Sequence, residues 1–468
     1  MKNIFERAAA LALSAAIMFS AAGCSRESTD SVSSAALETI DIPSSEPQPT
    51  EILDVGEHKD YDKQDTECYY SGELLIAKQD GKPRAMELFS MNIGEGCLEF
   101  YANELNKIKE EAGTKVNVYS MIVPTACELY CPPKYQDQID DQENILQTLN
   151  DMLVNVTPVN VLDTLKNHNA ENIYFRSDSR WTPLGAYYAG RIFAKEAGVE
   201  YADISEYSPS SPKEYVGDLS YMCMPDGDED LRKNPDEFIF YKPRTSFVTN
   251  YYDDEFEFLS ADKYYEENKD SLYEGYCKGG FYCLRLDTKA KNDRRLLIVK
   301  DDFGTVMPAF LTGSFSQIYV VEYDYLSANL VEMISEFGVT DVLYLMNTYT
   351  VTDSSVYTLE TIRTQATNGT LKDDAPDTDV PDSSDSDTDT DFDTESDEGY
   401  GEPNEPEYIY GVGINNQIGI VEPSSSPIEE QTEEYTAEPQ DNYSEDGGSA
   451  DYEYEYSYED GADEDGEW

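Results

Sequence analysis

Histidine is nearly absent from this chain: His58 and His168 are the only two in 468 residues. That scarcity limits general-base chemistry at neutral pH and transition-metal binding, because imidazole is the side chain best suited to both. Positive charge is scarce as well. Lys and Arg number 33 against 96 Asp and Glu, a net charge of −63, which argues against nucleic acid or an anionic membrane surface as partner. The deficit is steepest from Asp373 to Trp468, where no Lys or Arg offsets 34 acidic residues. No Gly-rich phosphate loop, Cys-x-x-Cys pair, Cys/His cluster or EF-hand spacing occurs, so no metal or other cofactor is expected.

The N-terminus has a distinct composition. Lys2 and Arg7 precede an apolar run from Ala8 to Ala22, too short to span a bilayer comfortably but the length of a secretion-signal core. It ends in Ala21-Ala22-Gly23-Cys24, which resembles the bacterial lipobox, with Ala21 standing where Leu is usual. The resemblance implies a signal at residues 1–24, a diacylglycerol on Cys24, and a protein anchored by lipid on the extracytoplasmic face of the cell membrane. Residues 25–51 have the Ser, Thr, Glu and Pro content of a disordered tether. Seven further cysteines follow, and Cys127/Cys131 or Cys277/Cys283 are candidate disulfides in such a compartment.

Residues 52–365 read as one globular domain. A strand is expected at Leu74–Ala77, a helix at Leu98–Ala112, strands at Val116–Val123 and Val156–Val161, and a helix between them from Gln142 to Leu153. Thr182-Pro183 has the cap-plus-proline pattern of a helix start, with Gly198 as its stop. Further on, Leu296–Val299, Ile318–Glu322 and Val342–Met346 are strands, Thr305–Thr312 a short helix and Ser327–Phe337 another helix. Strands alternating with helices imply an α/β fold around a parallel sheet. Residues from about 200 to 290, rich in Tyr, Asp and Glu, break that rhythm as an insertion or cap. Residues 366–468 form an acidic low-complexity tail that cannot bury enough apolar surface to offset its ordering entropy. Such a tail suits a spacer or a weak Ca²⁺ binder.

Two loops stand at strand-to-helix junctions, where parallel α/β sheets bind ligands. The first is Ile173-Tyr174-Phe175-Arg176-Ser177-Asp178-Ser179-Arg180-Trp181-Thr182-Pro183-Leu184-Gly185-Ala186-Tyr187-Tyr188-Ala189, and the second is Leu296-Leu297-Ile298-Val299-Lys300-Asp301-Asp302-Phe303-Gly304. Together with Tyr101-Ala102, Val118–Pro124 and Tyr135, they resemble the DHHW family, exported bacterial proteins related to SGNH-type hydrolases and alginate-type O-acetyltransferases. The likeness covers about residues 70–350 and implies a three-layer SGNH-hydrolase-like fold. In that family an Asp and the second His of the first motif orient and deprotonate a serine held in the second motif. Here Asp178 keeps the acid's place, Ser179-Arg180 replaces the two histidines, and Asp302 stands at the serine position.

Serine-type acyl transfer needs a hydroxyl nucleophile and a base of near-neutral pKa. A guanidinium, with a pKa above about 12, cannot act as that base. Loss of both groups removes a rate factor on the order of 10⁶ in other hydrolases. The degenerate triad Asp178, Arg180 and Asp302 is therefore expected to form an ion-pair cluster at an inactive site. His168 is expected on the surface. Arg176, Trp181 and Tyr174, with Tyr187 and Tyr188 beside them, are candidate contacts for a cell-envelope carbohydrate, and a protein partner fits the same face. The expected role is that of a catalytically inactive binding or accessory protein. The alternative is a working polysaccharide O-acetyltransferase or esterase with a rearranged site.

Overall fold

A computed structural model of the protein describes residues 56–90, 96–223, 228–268, 271–280 and 283–372, with Ala375 and Val380. The expected leader and tether, with Cys24, and most of the acidic tail lie outside the described residues.

Eight strands form the central sheet: β1 (Asn117–Val123), β2 (Thr157–Pro158), β3 (Val248–Tyr252), β4 (Phe258–Ala261), β5 (Cys283–Asp287), β6 (Arg295–Lys300), β7 (Gln317–Glu322) and β8 (Asp341–Asn347). Their spatial order is β4-β3-β5-β7-β6-β8-β1-β2. The five from β7 to β2 run parallel, and β5, β3 and β4 continue the sheet antiparallel.

Alternation along the strands sends side chains into two cores. Tyr119, Met121 and Val123 of β1, Leu296 and Ile298 of β6, and Leu343 and Leu345 of β8 face one side. Val118, Ile122, Leu297, Val299, Val342, Tyr344 and Met346 face the other. Near-continuous apolar strands covered on both faces are what a parallel sheet requires. The first core is closed by α3 (Pro183–Ala197), whose Phe193 meets Tyr119 edge-on. The second is closed by α1 (Cys97–Ala112), α2 (Gln142–Met152), α4 (Leu330–Glu336) and α5 (Thr358–Thr364). Among the described residues, no helix is long and apolar enough to cross a membrane.

Helix α3 begins and ends where its sequence says. The Thr182 side chain accepts from the Gly185 N–H, Pro183 occupies the first turn, and Gly198 closes the helix in a left-handed conformation. Other expectations need correction. The segment from 200 to 290 is an insertion or cap only in its first half: residues 207–243 form two small two-stranded sheets, whereas β3, β4 and β5 join the central sheet and Tyr251 and Tyr252 are buried in its two cores. Its Tyr-rich alternation is a strand signal read as irregularity. The strand expected at Val156–Val161 shrinks to the two residues of β2, because Pro158 has no N–H to continue a ladder. Thr305–Thr312 resolves into two 3₁₀ turns, Asp302–Val306 and Pro308–Leu311, divided by Pro308. Ordered packing also runs past 365, with Leu371 and Ala375 buried in the second core. All seven described cysteines carry free thiols, so neither expected pair is bonded.

Candidate functional site

The loop Arg176–Trp181 leaves the core at Phe175 and re-enters it at Trp181, and its shape is dictated by two buried aspartates. Asp236 accepts from the Arg176 N–H (3.0 Å), the Ser177 N–H (2.9 Å), the Ser177 hydroxyl (2.7 Å) and Arg176 Nε (2.9 Å). Asp178 is wholly buried. Its carboxylate accepts from the Arg180 N–H (2.9 Å) and forms a two-pronged pair with Arg180 Nε and Nη2, both at 2.8 Å, while the Tyr215 hydroxyl donates to the same carboxylate. Gly217 crosses directly over it: a Cβ there would lie 2.3 Å from the Asp178 Cβ. The Gly217 N–H donates to Ser177 Oγ at 2.9 Å.

The second loop is joined to the first through Trp181. Its indole N–H donates to the Phe303 carbonyl at 2.7 Å, and the Tyr273 hydroxyl donates to the same oxygen at 3.2 Å. Arg180 lies over the Tyr273 ring, with Cζ 3.9 Å from the ring centre, and Arg180 Nη1 reaches Asp302 Oδ2 at 3.7 Å. Asp178, Arg180 and Asp302 are thus brought together. Arg180 is mostly enclosed, whereas the Asp302 side chain is 60 % exposed. Beneath them, Asp301 caps the Phe303 turn and accepts from the Asn347 N–H (2.7 Å), Asn347 Nδ2 (2.9 Å) and the Thr350 hydroxyl (2.7 Å). Lys300 is buried and pairs with Glu322.

Burial disfavours charge on Asp178, yet the Arg180 charge and the hydrogen bonds from Arg180 and Tyr215 hold its carboxyl below the usual range. Burial likewise opposes charge on Arg180, and the Asp178 charge overrides it and raises the guanidinium pKa. In that pairing both groups are held charged, the carboxyl ionised and the guanidinium protonated. Burial and then the Asp302 charge push Asp301 up to about 7.

Two carboxylates that sequence spacing did not single out complete the site. Asp218 accepts from the Ser179 N–H (3.1 Å) and hydroxyl (3.2 Å). Glu87, at the end of the strand Lys82–Met86, lies close enough to Asp218, Asp178 and Asp302 for their charges to raise its pKa. Neither residue belongs to a motif; one leaves a hairpin and the other follows a turn, so only the fold brings them to the cleft.

Several expected contacts are displaced. Tyr174 and Trp181 are fully buried, Tyr174 donating to the Pro124 carbonyl at 2.5 Å, so neither presents a ring to a ligand. Tyr187 is also a core residue, packed among Tyr201, Tyr207 and Phe310. Tyr188 stacks on His168 at 3.6 Å and donates to Glu171. His168 is itself buried rather than on the surface, with Nδ1 2.5 Å from Glu171. Arg176 is spent on Asp236 and the Pro235 carbonyl. An aromatic residue flanking a loop is more often its anchor than its ligand platform, because burial of a ring stabilises the entry and exit of the loop.

No curated protein matches the chain. Among solved structures, it is similar to a DHHW family protein from Eubacterium siraeum, with 28 % identity and a TM-score of 0.60 over 65 % of this chain and 99 % of that one. PatB1 of Bacillus cereus, solved with a sulfonyl adduct, aligns at 17 % identity and a TM-score of 0.49 over 63 % of this chain and 99 % of that one. The O-acetyltransferase domain of Pseudomonas putida AlgJ aligns at 12 % identity and a TM-score of 0.36 over 64 % and 99 %. The family profile described as DHHW protein matches residues 85–321, a span that holds both site loops and the strands that carry them. The chain belongs to the DHHW family.

Proposed function

We propose that this protein is a catalytically silent DHHW member that binds cell-envelope carbohydrate at the altered site, held at the extracytoplasmic face of the membrane by lipid on Cys24. The observation that carries the silent reading is the two-pronged Arg180–Asp178 pair, which occupies the acid's hydrogen-bonding capacity and puts a guanidinium, not an imidazole, beside Asp302. A carboxylate at residue 302 attacks a carbonyl weakly, and any anhydride it formed would hydrolyse at once. Hydrolysis of p-nitrophenyl acetate by the full chain is expected to equal that of its Asp302→Ala variant. Turnover well above background in the parent and absent from the variant would defeat the reading.

The working-acyltransferase alternative has one contact in its favour, the Ser179 hydroxyl on Asp218, since a carboxylate of near-neutral pKa is a competent base. A Ser179→Ala variant in the same assay separates the two readings. The anchoring reading rests on the Ala21-Ala22-Gly23-Cys24 sequence. When the full chain is expressed in a bacterial host, its Cys24→Ser form is expected to lose incorporation of labelled fatty acid. Equal labelling of both forms would overturn the anchor.

A further inference from the structure

Both histidines of the chain belong to one contact. Residues 56–61, the first that the structure describes, run across the turn that follows the helix Leu162–Asn167. The two segments are laced together. The Ala170 N–H donates to the Glu57 carbonyl (2.9 Å), and the Glu57 N–H donates to Glu171 Oε1 (3.1 Å). Asn169 makes a two-way bond with Lys59, its Oδ1 accepting from the Lys59 N–H (2.8 Å) and its Nδ2 donating to the Lys59 carbonyl (2.9 Å). Gly56 lies so close that a Cβ there would sit 2.5 Å from both the Asn167 carbonyl oxygen and His168 Nδ1. Glu171 also receives the Tyr188 hydroxyl (2.6 Å) and lies 2.5 Å from His168 Nδ1. The turn held in this way is the neck of the first site loop. Its next two carbonyls, those of Asn172 and Ile173, accept from the Thr182 hydroxyl (2.6 Å) and N–H (2.9 Å).

His58 adds a contact of a different kind. Its Nδ1 lies 2.7 Å from the Lys166 carbonyl oxygen, and its Nε2 lies 3.2 Å from Asp60 Oδ1. A carbonyl and a carboxylate only accept, and a neutral imidazole carries a single N–H. Only the imidazolium can donate to both oxygens at once. In the neutral ring, one nitrogen lone pair faces an oxygen. The surrounding groups favour the proton: the Lys166 carbonyl and then Asp60 raise the His58 pKa from its ordinary 6.5, against burial and the Lys63 charge. Each nearby cation already holds a carboxylate. Lys63 pairs with Asp60 (3.1 Å), Lys59 with Asp80 (2.8 Å), and the Lys166 ammonium with Glu128 (3.1 Å) and Glu143 (3.0 Å). A folded pKa above the unfolded one means that the contact contributes fully below about pH 6.5 and is lost as pH rises through the folded value.

We propose that residues 56–61 form a pH-dependent strap, fastened to the neck of the site loop by protonated His58 and loosened as pH rises. By chain order the strap stands between Cys24 and the domain, so its release lengthens the free connection to any anchor at that cysteine. The strap goes beyond the carbohydrate-binding reading and does not depend on it.

The test is amide hydrogen exchange of the full chain at pH 6 and pH 8, each rate divided by the unstructured rate at the same pH. The amides of Glu57, Lys59 and Ala170, whose bonds span the contact, are expected to lose at least threefold in protection between pH 6 and pH 8. Strand β8 should stay unchanged, as the control for global opening. The effect is several-fold rather than larger because the His58 side chain is 48 % exposed and the lacing bonds persist without it. His58→Gln is expected to show the pH 8 level at both values. Gly56→Ala, whose methyl group has no room, is expected to show an opened strap at both, and protection left intact by it would remove the strap. Equal protection of the parent at pH 6 and pH 8 would overturn the proposal. So would the same loss retained in His58→Gln, which would place the titrating group elsewhere. With two histidines in the chain, the imidazole signal that His58→Gln removes from the proton spectrum reports the His58 pKa directly. A value at or below 6.5 would also overturn the proposal.

Discussion

Replacing Arg180 with Leu is expected to destabilise the domain by about 3–5 kcal/mol, the cost of stranding a buried carboxylate when its partner is removed. Asp178 has no exposed surface, and Arg180 supplies two side-chain bonds and the only cation that contacts it among the described residues. The pH dependence should invert along with the loss. In the parent, the folded pKa of Asp178 is below its unfolded value, so its contribution is present above the unfolded pKa and lost as pH falls through the folded one. In Arg180→Leu, burial without the cation lifts the folded pKa above the unfolded value. The penalty is then smallest in acid and grows as pH rises. Urea denaturation at pH 5 and pH 8 measures both, and a variant that loses less than about 1 kcal/mol, or more at pH 5 than at pH 8, would show that Arg180 is not the partner that keeps Asp178 charged.

Restoring the family residues together, Arg180→His with Asp302→Ser, is expected to raise p-nitrophenyl acetate turnover at least a hundredfold over the parent, with each single change near background. Triad members act as a unit, so a base without a nucleophile, or the reverse, recovers little. The scaffold for the pair is in place. Asp178 already hydrogen-bonds the side chain of residue 180, Trp181 already clamps the turn after Asp302, and Asp301 already fixes that turn against β8. The remaining mismatch is Tyr215, whose hydroxyl also donates to Asp178 and competes with an imidazole for it. Equal turnover in parent and double variant would instead mean that the loop geometry, and not the side chains, sets the activity.

Much of the framework was legible because it depends on local rules. Helix α3 was bounded by Thr182-Pro183 and Gly198, whose capping and left-handed preferences act within a few residues. Strands β6, β7 and β8 announced themselves as short β-branched runs, since a strand buried on both faces must be apolar throughout. The strands of the 200–290 segment did not, because their Tyr, Asp and Glu content is the composition of half-exposed edge strands as well as of loops. What they pair with is decided by the neighbouring β7, far along the chain.

The site divides in the same way. That residues 180 and 302 carry no base and no hydroxyl nucleophile is a matter of residue identity, and the sequence alone determined it. So was the loop character of both segments, since each lies between an apolar run and a helical or turn signal. Tertiary structure alone decided that Arg180 folds back on Asp178 rather than toward solvent, that Tyr174 and Trp181 point into the core, and that Glu87 and Asp218 arrive at the cleft. The reason is physical: identity fixes which protons a side chain can give or take, whereas charge balance and burial depend on neighbours that folding supplies, from Asp178, two residues before Arg180, to Phe303, 122 residues beyond Trp181.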